Sequence, residues 1–192
     1  MNKEPKDFIL ASGSIHRKAL LETIGYTPKK IVSANIDESE RPHEKPLSFV
    51  KRMAYEKVKK ASEEFPNEVV LSADTIVVVR GKVLHKSKDS NEQTLVMKSL
   101  SGKAHKVITS VCVCSKSGKI SQRTVTTRIL MKKMSEQEIS DYVASNEWVG
   151  VVGYSIEGCL GGYVKKIIGS YSGVVGLPLY ETKNLLTGAS VL

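Results

Sequence analysis

The sequence has little of what marks secreted, membrane-spanning or nucleic-acid-binding chains. Only three of its 192 residues are cysteine, too few for a disulfide framework at this length. No apolar run approaches the roughly 18 residues of a membrane span, and the opening residues lack an apolar signal core. Aromatic residues make up 6% of the chain and form no stripe with basic residues that would stack nucleotide bases. We therefore expect a cytoplasmic protein with no membrane partner, and the sequence argues against a nucleic-acid partner.

The net charge is the first informative quantity. The chain carries 29 Lys and Arg against 20 Asp and Glu, a formal charge of +9. Such a surplus favours anionic partners, whether nucleic acid, a membrane surface or a polyphosphate, without choosing among them. The basic residues are scattered, and a nucleic-acid tail would show a longer basic block. Part of the charge can therefore be ordinary solvated surface.

Apolar periodicity predicts an α/β fold in which strands and helices alternate. A strand at residues 8–10 runs through a loop of small residues into a helix that ends at Gly25. A one-sided apolar stripe predicts a helix over residues 46–64. Further helices are predicted over residues 90–100, from Ser135 onward and over 179–186, and further strands over 107–114 and 124–130. We expect one domain over residues 1–192, built on a mixed sheet.

The segment around Asp74 contains the most unusual residues of a predicted strand region. Residues 69–71 and 76–79 are predicted as two β-branched strands that flank Ser72–Thr75, with a tight turn following at residues 80–82. Asp74 would then sit near an end of the sheet, where α/β proteins place ligands. Asp37 and Glu38 could join it to hold a hard divalent cation, or all three could be turn-forming and solvated acids.

The loop Ser12–Arg17 admits two interpretations. Small residues let the backbone approach an anion, hydroxyls donate hydrogen bonds, and Arg17 offers a planar fork to phosphate oxygens. Alternatively, Ser14 caps a helix and Arg17 lies on the surface. Lys57 and Lys86 are further candidates for binding phosphate, although any single lysine in so basic a chain is weak support. The four histidines lack the spacing of a zinc site, and Cys112 and Cys114 are expected to pack in the core.

Several segments, in order, resemble motifs of the Maf family of nucleotide pyrophosphatases. The family opening L-A-S-x-S-P-R-R-x-E-L-L stands here as L-A-S-G-S-I-H-R-K-A-L-L, residues 10–21. The resemblance continues through Asp37-Glu38, R-M-A-Y-E-K (52–57), S-A-D-T (72–75), L-H-K (84–86), L-S-G-K-A-H (100–105), G-Y-S-I-E-G (153–158) and G-S-Y-S-G-V-V-G-L-P-L (169–179). These motifs span nearly the whole chain.

The resemblance implies a fold like that of the Maf and inosine triphosphatase proteins, with a long mixed sheet, flanking helices and a cleft between two lobes. It also implies hydrolysis of a nucleoside triphosphate to the monophosphate and pyrophosphate with Mg²⁺ or Mn²⁺, and it allows a homodimer. Glu38 and Asp74 match metal-associated acids, and Asp74 also matches the acid that activates water. The remaining expected roles are catalysis by Lys57 and Lys86 and substrate binding by Ser12, Arg17, Thr75 and Glu157.

The sequence departs from the family pattern at positions that bear on the substrate. Ile15 and His16 replace the usual proline and first arginine, and Glu157 stands where members preferring dTTP or UTP usually carry glutamine. An ionised carboxylate only accepts hydrogen bonds, so Glu157 would suit the two ring donors of a guanine. Thr75 instead matches the dTTP and UTP branch. We expect dTTP or UTP as substrate, with 7-methyl-GTP, or a nucleotide-binding regulatory role in cell division with little turnover, as alternatives.

Overall fold

The computed structural model describes residues 6–191, in which strands and helices alternate around one seven-stranded sheet. The strands are β1 (Lys6–Ala11), β2 (Pro28–Val32), β3 (Val70–Val79), β4 (Lys82–Leu84), β5 (Ala104–Cys114), β6 (Ile120–Met131) and β7 (Val164–Ile168). The α-helices are α1 (Ile15–Thr23), α2 (Pro46–Glu64), α3 (Ser90–Leu100), α4 (Glu136–Ala144), α5 (Tyr171–Val175) and α6 (Leu179–Gly188), and a 3-10 turn spans Cys159–Tyr163. Most of the opening segment in which we sought a signal core lies outside the described residues.

The predicted mixed sheet is confirmed, and its strand order creates a gap beside β3. The order is β2-β1-β3-β5-β6-β7, with β1 parallel to both neighbours and the later pairs antiparallel. On one side of β3, β1 pairs only as far as Leu71, and the short β4 begins to pair at Val77. Among the described strands, none pairs with residues 72–76 of β3 on that side. The carboxyl end of β1 therefore opens onto the middle of β3.

Two predictions about this region were wrong. β3 is one continuous strand rather than two strands flanking Ser72–Thr75, and Asp74 lies in its middle rather than near a sheet end. The strand continues because β5 pairs with it throughout, with Asp74 opposite Ser110 and Thr75 opposite Thr109. Polar side chains interrupt the apolar pattern of the sequence without interrupting the backbone ladder.

Helices α2 and α4 follow their sequence signals closely, whereas α5 lies in a segment for which no helix was predicted. α2 begins at Pro46, which needs no hydrogen-bonded amide at the first helical position, and it buries Phe49, Val50 and Met53 against the sheet. α4 begins at a complete capping box, in which Ser135 and Glu138 each bond the other's backbone amide. Among residues 6–191, no helix is both long and apolar enough to cross a bilayer.

The core has two principal clusters, one at either end of the long strands. One cluster gathers Phe8 and Leu21 beside the amino-terminal half of β3. The other gathers Met97, Ile129 and Tyr142 beside its carboxy-terminal half. Each fully buried side chain of this size contributes about 1.5–3 kcal/mol, so both lobes have substantial cores of their own. The predicted two lobes are confirmed, joined through β3 and β5.

Cys112 and Cys114 behave as core residues, as expected, whereas Cys159 is exposed. Cys112 and Cys114 are both buried on the face of β5 that packs against α2. Burial raises the pKa of the Cys112 thiol to about 12, so the reactive thiolate is disfavoured at neutral pH.

Candidate active site

A cleft of about 760 Å³ lies between the lobes, at the gap beside β3. Its walls come from the loop after β1, the start of α2, the middle of β3 and the loop after β4. The segments 149–157 and 174–176 complete it from the second lobe and the carboxy-terminal part of the chain. This volume is within the range of small-molecule sites, and the lining contains Ser12, Arg17, Glu38, Lys57, Asp74, Thr75, Lys86 and Glu157. The fold thus brings all eight sequence-predicted site residues to one cleft.

Three hydrogen bonds from the guanidinium fix the Arg17 side chain in the cleft. Its Nε donates to the Gly176 carbonyl oxygen at 2.9 Å, Nη1 to Ser12 Oγ at 2.9 Å, and Nη2 to Thr75 Oγ1 at 3.3 Å. A guanidinium has five N–H donors, so one remains on each terminal nitrogen for an anion. Burial lowers the pKa of Arg17, while the charges of Asp74 and Glu38 oppose that shift.

Both interpretations of the loop around Ser14 are partly realised. Ser14 is the N-cap of α1, and its Oγ accepts from the Arg17 amide at 3.4 Å. Arg17, however, is not a surface residue, since its side chain turns inward to three protein acceptors. Ser12 Oγ also accepts from the Ser14 amide at 3.3 Å. Ser12 therefore couples the helix start to the guanidinium.

A chain of hydroxyl groups continues from Arg17 into the core. Thr109 Oγ1 lies 2.6 Å from the Gly173 carbonyl oxygen and 3.0 Å from Thr75 Oγ1. A hydroxyl has one proton, and a carbonyl oxygen can only accept. The single Thr109 proton is therefore shared between the Gly173 carbonyl oxygen and Thr75 Oγ1, while the Thr75 hydroxyl donates to the Gly176 carbonyl oxygen at 3.4 Å. Such aligned bonds polarise one another, and they tie Arg17 to a fully buried anchor.

The carboxy-terminal segment supplies a backbone acceptor to this network. Gly176 has φ +136°, a conformation that side-chain-bearing residues rarely adopt, and a Cβ there would contact the Arg17 side chain. The position therefore favours glycine and directs its carbonyl group to Arg17.

Two acids meet on one lysine. Lys57 Nζ lies 2.7 Å from Asp74 Oδ1 and 2.8 Å from Glu38 Oε1. The side chains of Lys57 and Asp74 are 12% and 14% exposed, whereas that of Glu38 is 62% exposed. The two carboxylate oxygens are thus no more than about 5.5 Å apart, the sum of those two distances. Lys57 provides the positive charge that keeps the two anions together.

This donor set fits a hard divalent cation. Mg²⁺ is commonly held by one or two carboxylates, with phosphate oxygens and water completing its shell. Among the described residues no cluster of three or more His, Cys, Asp or Glu could hold a metal alone. Glu38 and Asp74 are the two carboxylates in the lining of the cleft that can share an ion with a bound phosphate.

Asp37 and Lys86 take no part in the ion pairs that Lys57 forms with Glu38 and Asp74. Asp37 Oδ1 accepts from the Ser39 amide at 2.9 Å, a turn contact that lowers the pKa of this exposed acid. It is absent from the lining described above, so the interpretation of a solvated turn applies to Asp37. Lys86 is exposed at the cleft mouth and has no ion pair within residues 6–191.

His16 and Glu157, the two departures from the family pattern, contact each other. His16 Nδ1 lies 2.8 Å from Glu157 Oε2, and the two side chains are 35% and 41% exposed. One residue belongs to α1 and the other to the 149–157 segment, so this contact spans the cleft. One acceptor site of Glu157 is therefore already occupied.

Sequence reasoning missed Thr109 and the Gly176 carbonyl. Thr109 gives no signal, because it is one polar residue inside an apolar strand. The run of glycine and serine at residues 169–176 does suggest a backbone-lined turn, but its partner Arg17 is far away in the sequence.

Comparison with known proteins identifies the family of the chain. The family model described as Maf-like protein matches residues 7–189. A dTTP/UTP pyrophosphatase of Hyphomonas neptunium is 45% identical over 181 residues, which cover 94% of each chain. A nucleoside triphosphate pyrophosphatase of Neorickettsia sennetsu is 42% identical over 186 residues, covering 96% of this chain and 89% of the relative.

The match to solved structures is weaker than the match to these sequence relatives. The Ham1 protein of Staphylococcus aureus matches with a TM-score of 0.46 and 13% identity, over 66% of this chain and 72% of that one. The family assignment does not depend on that likeness. The cleft of about 760 Å³, with paired acids and basic side chains, defines a class of α/β proteins with a site suited to an anionic ligand and a cation. Within that class, the chain belongs to the Maf-like protein family.

Proposed function

We propose that the chain is a nucleoside triphosphate pyrophosphatase that converts dTTP or UTP to the monophosphate and pyrophosphate. The observation that supports this most strongly is the meeting of Asp74, Glu38 and Lys57 beside Arg17 in one cleft. Full-length relatives named for the same activity support it independently. We further propose that residues 1–192 act as one cytoplasmic domain, either alone or as a homodimer.

In this proposal, Asp74 orients and deprotonates the attacking water. The water oxygen forms a bond to the α-phosphorus, and the bond from that phosphorus to the bridging oxygen of the β-phosphate breaks. One water proton passes to Asp74 and then to solvent, while pyrophosphate leaves with the bond's electron pair. The Asp74 carboxylate is suited to this task because its side chain is only 14% exposed and is held in place by Lys57, whose Nζ lies 2.7 Å from Oδ1.

The basic residues hold the triphosphate. Arg17 offers its two remaining N–H groups as a fork to phosphate oxygens, and its three protein contacts fix that orientation before substrate arrives. Ser12 and Thr75 contribute through Arg17 and at the wall of the cleft. Lys57 and Lys86 add positive charge on opposite sides of the phosphates and stabilise the departing pyrophosphate.

Glu38 and Asp74 would hold Mg²⁺ or Mn²⁺, with substrate oxygens and water as the other ligands. When bound, the ion neutralises charge on the phosphates. In the free protein, Lys57 supplies positive charge at the same two carboxylates. We expect Lys57 to shift toward the phosphates when the ion and nucleotide enter.

The test is product analysis with each of dTTP, UTP, CTP, GTP, ATP and 7-methyl-GTP, in Mg²⁺ and in Mn²⁺. We expect equal amounts of monophosphate and pyrophosphate, with dTTP and UTP preferred. Diphosphate and inorganic phosphate would refute the proposed bond. Preference for 7-methyl-GTP would show that Glu157 reads a guanine edge, and binding without release would favour the regulatory role.

A further inference from the structure

A basic surface lies on the side of α2 away from the cleft. Phe49 and Met53 of α2 line the cleft, whereas Gln122 of β6 donates to the Lys51 carbonyl oxygen at 2.8 Å. Beyond that contact, α2 leaves the same face of β6 and β7 uncovered. We call this region the β6–β7 shelf and define it by Lys51, Tyr55, Lys106, Arg128, Lys166 and Ile168.

Strand register places three cations of the shelf together. Lys106 pairs with Arg128, and Arg128 pairs with Ile168, so these side chains leave the sheet on one face. Lys166 pairs with Leu130, two residues from Arg128, and shares that face. Directly paired side chains have Cβ atoms about 5 Å apart and diagonal ones about 7 Å. Like charges at this spacing repel one another, which favours a bound anion.

The positive charge of the shelf is not neutralised by the protein. β5, β6 and β7 contain no Asp or Glu. Within residues 6–191, no ion pair involves any of the four cations of the shelf. The Lys106, Arg128 and Lys166 side chains are all exposed. Because these three strands contain no acid, the positive charge of Lys106, Arg128 and Lys166 has no counter-charge on its own part of the sheet.

Two exposed apolar side chains lie on elements that carry these cations, Tyr55 on α2 and Ile168 on β7. Tyr55 is 43% exposed and lies one helical turn from Lys51, on the same side of α2. Ile168 is 53% exposed on the opposite edge of the shelf. Nucleotide bases stack on such aromatic side chains while lysine and arginine contact the phosphates.

We propose that the shelf binds single-stranded nucleic acid, with phosphates at the four cations and a base against Tyr55. A linear chain suits the site because α2, about 10 Å across with its side chains, rises beside the sheet and would hold a flat bilayer away from Arg128. A second copy of the protein on a two-fold axis would bring like charges together. This proposal is independent of hydrolysis in the cleft.

The binding site was not apparent in the sequence, where basic and aromatic residues form no stripe. The shelf draws its cations from four separate elements, α2, β5, β6 and β7. Only strand pairing brings them to one face.

The experiment uses a fluorescein-labelled 15-nucleotide oligodeoxyadenylate and fluorescence anisotropy over 50–200 mM NaCl. With four phosphate contacts, the logarithm of the association constant plotted against the logarithm of the salt concentration should have a slope of about −2.8. Binding should therefore be about 50-fold weaker at 200 mM than at 50 mM NaCl. The variant Lys106→Gln/Arg128→Gln/Lys166→Gln should reduce the slope to about −0.7. The matched control Lys59→Gln/Lys133→Gln/Lys183→Gln removes the same charge elsewhere and should keep the original slope.

Nucleotide turnover and the thermal midpoint verify that both triple variants are folded. If the shelf variant unfolds, Arg128→Gln alone should make the slope less negative by about 0.7. Equal loss of binding in shelf and control variants would overturn the proposal, as would no binding at 50 mM NaCl. Shelf-dependent binding to phosphatidylserine vesicles without oligonucleotide binding would also overturn it and assign the surface to a membrane.

Discussion

Replacing Thr109 with valine tests whether the hydroxyl chain positions Arg17. Valine has nearly the shape of threonine, so the substitution removes hydrogen bonds without opening a cavity. It leaves the Gly173 carbonyl oxygen without its 2.6 Å donor and the Thr75 hydroxyl without its 3.0 Å partner. Thr109 is 1% exposed, so water cannot replace these bonds.

The magnitude follows from the burial of these groups. An unsatisfied buried polar group costs about 1–3 kcal/mol, and each kcal/mol lowers the midpoint of a domain of this size by about 2–4 °C. We therefore expect Thr109→Val to lower Tm by about 4–8 °C for a loss of about 2 kcal/mol. Looser positioning of Arg17 should also lower kcat by about tenfold, equivalent to about 1.4 kcal/mol in the barrier.

Two controls separate positioning from stability. Thr109→Ser keeps the hydroxyl and should retain most of kcat. Thr182→Val removes another fully buried hydroxyl, which donates to the Pro178 carbonyl oxygen at 2.8 Å, away from the cleft. It should reduce Tm modestly, because the Thr182 amide still donates to that oxygen, and leave kcat unchanged. Unchanged kcat in a destabilised Thr109→Val protein, assayed below its midpoint, would refute the positioning role.

Three further predictions concern individual side chains. Arg17→Lys should lower kcat/KM by about a hundredfold or more, because an ammonium cannot replace the fork or several charge-assisted bonds of about 1.5–3 kcal/mol each; steady-state kinetics measures this, and near-normal turnover would contradict it. Burial lowers the pKa of His105 to about 4, below the unfolded value of about 6.5. Protons then bind the unfolded chain preferentially as pH falls through that window, so the protein should lose about 2 kcal/mol between pH 7.5 and 5 from this residue. Thermal or urea unfolding should show a smaller loss in His105→Phe, and an identical loss would exclude His105 as its source. Glu157→Gln supplies a donor beside an acceptor and should raise the kcat/KM ratio of dTTP to 7-methyl-GTP about tenfold; a lowered ratio would mean that the carboxylate itself reads the pyrimidine.

The sequence predicted those elements whose stability is visible in a local pattern. α2 has the predicted bounds 46–64, because a one-sided apolar stripe and Pro46 specify it. β3 was misjudged because its central residues are polar and are held in the ladder by β5, which is distant in the sequence. A local pattern contains no information on such a partner.

The candidate site was likewise predictable only in part from local sequence patterns. Motif order brought Arg17, Lys57 and Asp74 into consideration, although each alone had an ordinary structural explanation. Their geometry depended on contacts that span the chain, such as Arg17 with Gly176 and His16 with Glu157. His16 and Glu157, which both depart from the family pattern, are thus partners across the cleft.

Pyrophosphate release from dTTP by Asp74→Asn tests the central claim most directly. The matched control is Asp141→Asn, an exposed acid on α4 that contacts Gln137 and lies away from the cleft. With Mg²⁺ or Mn²⁺ present, we expect Asp74→Asn to lose at least a hundredfold in kcat, within the range of general-base catalysis of about 10²–10⁴, while Asp141→Asn and the wild type release pyrophosphate equally. A folded Asp74→Asn protein with near-normal release would contradict the assignment of Asp74 as the group that activates water.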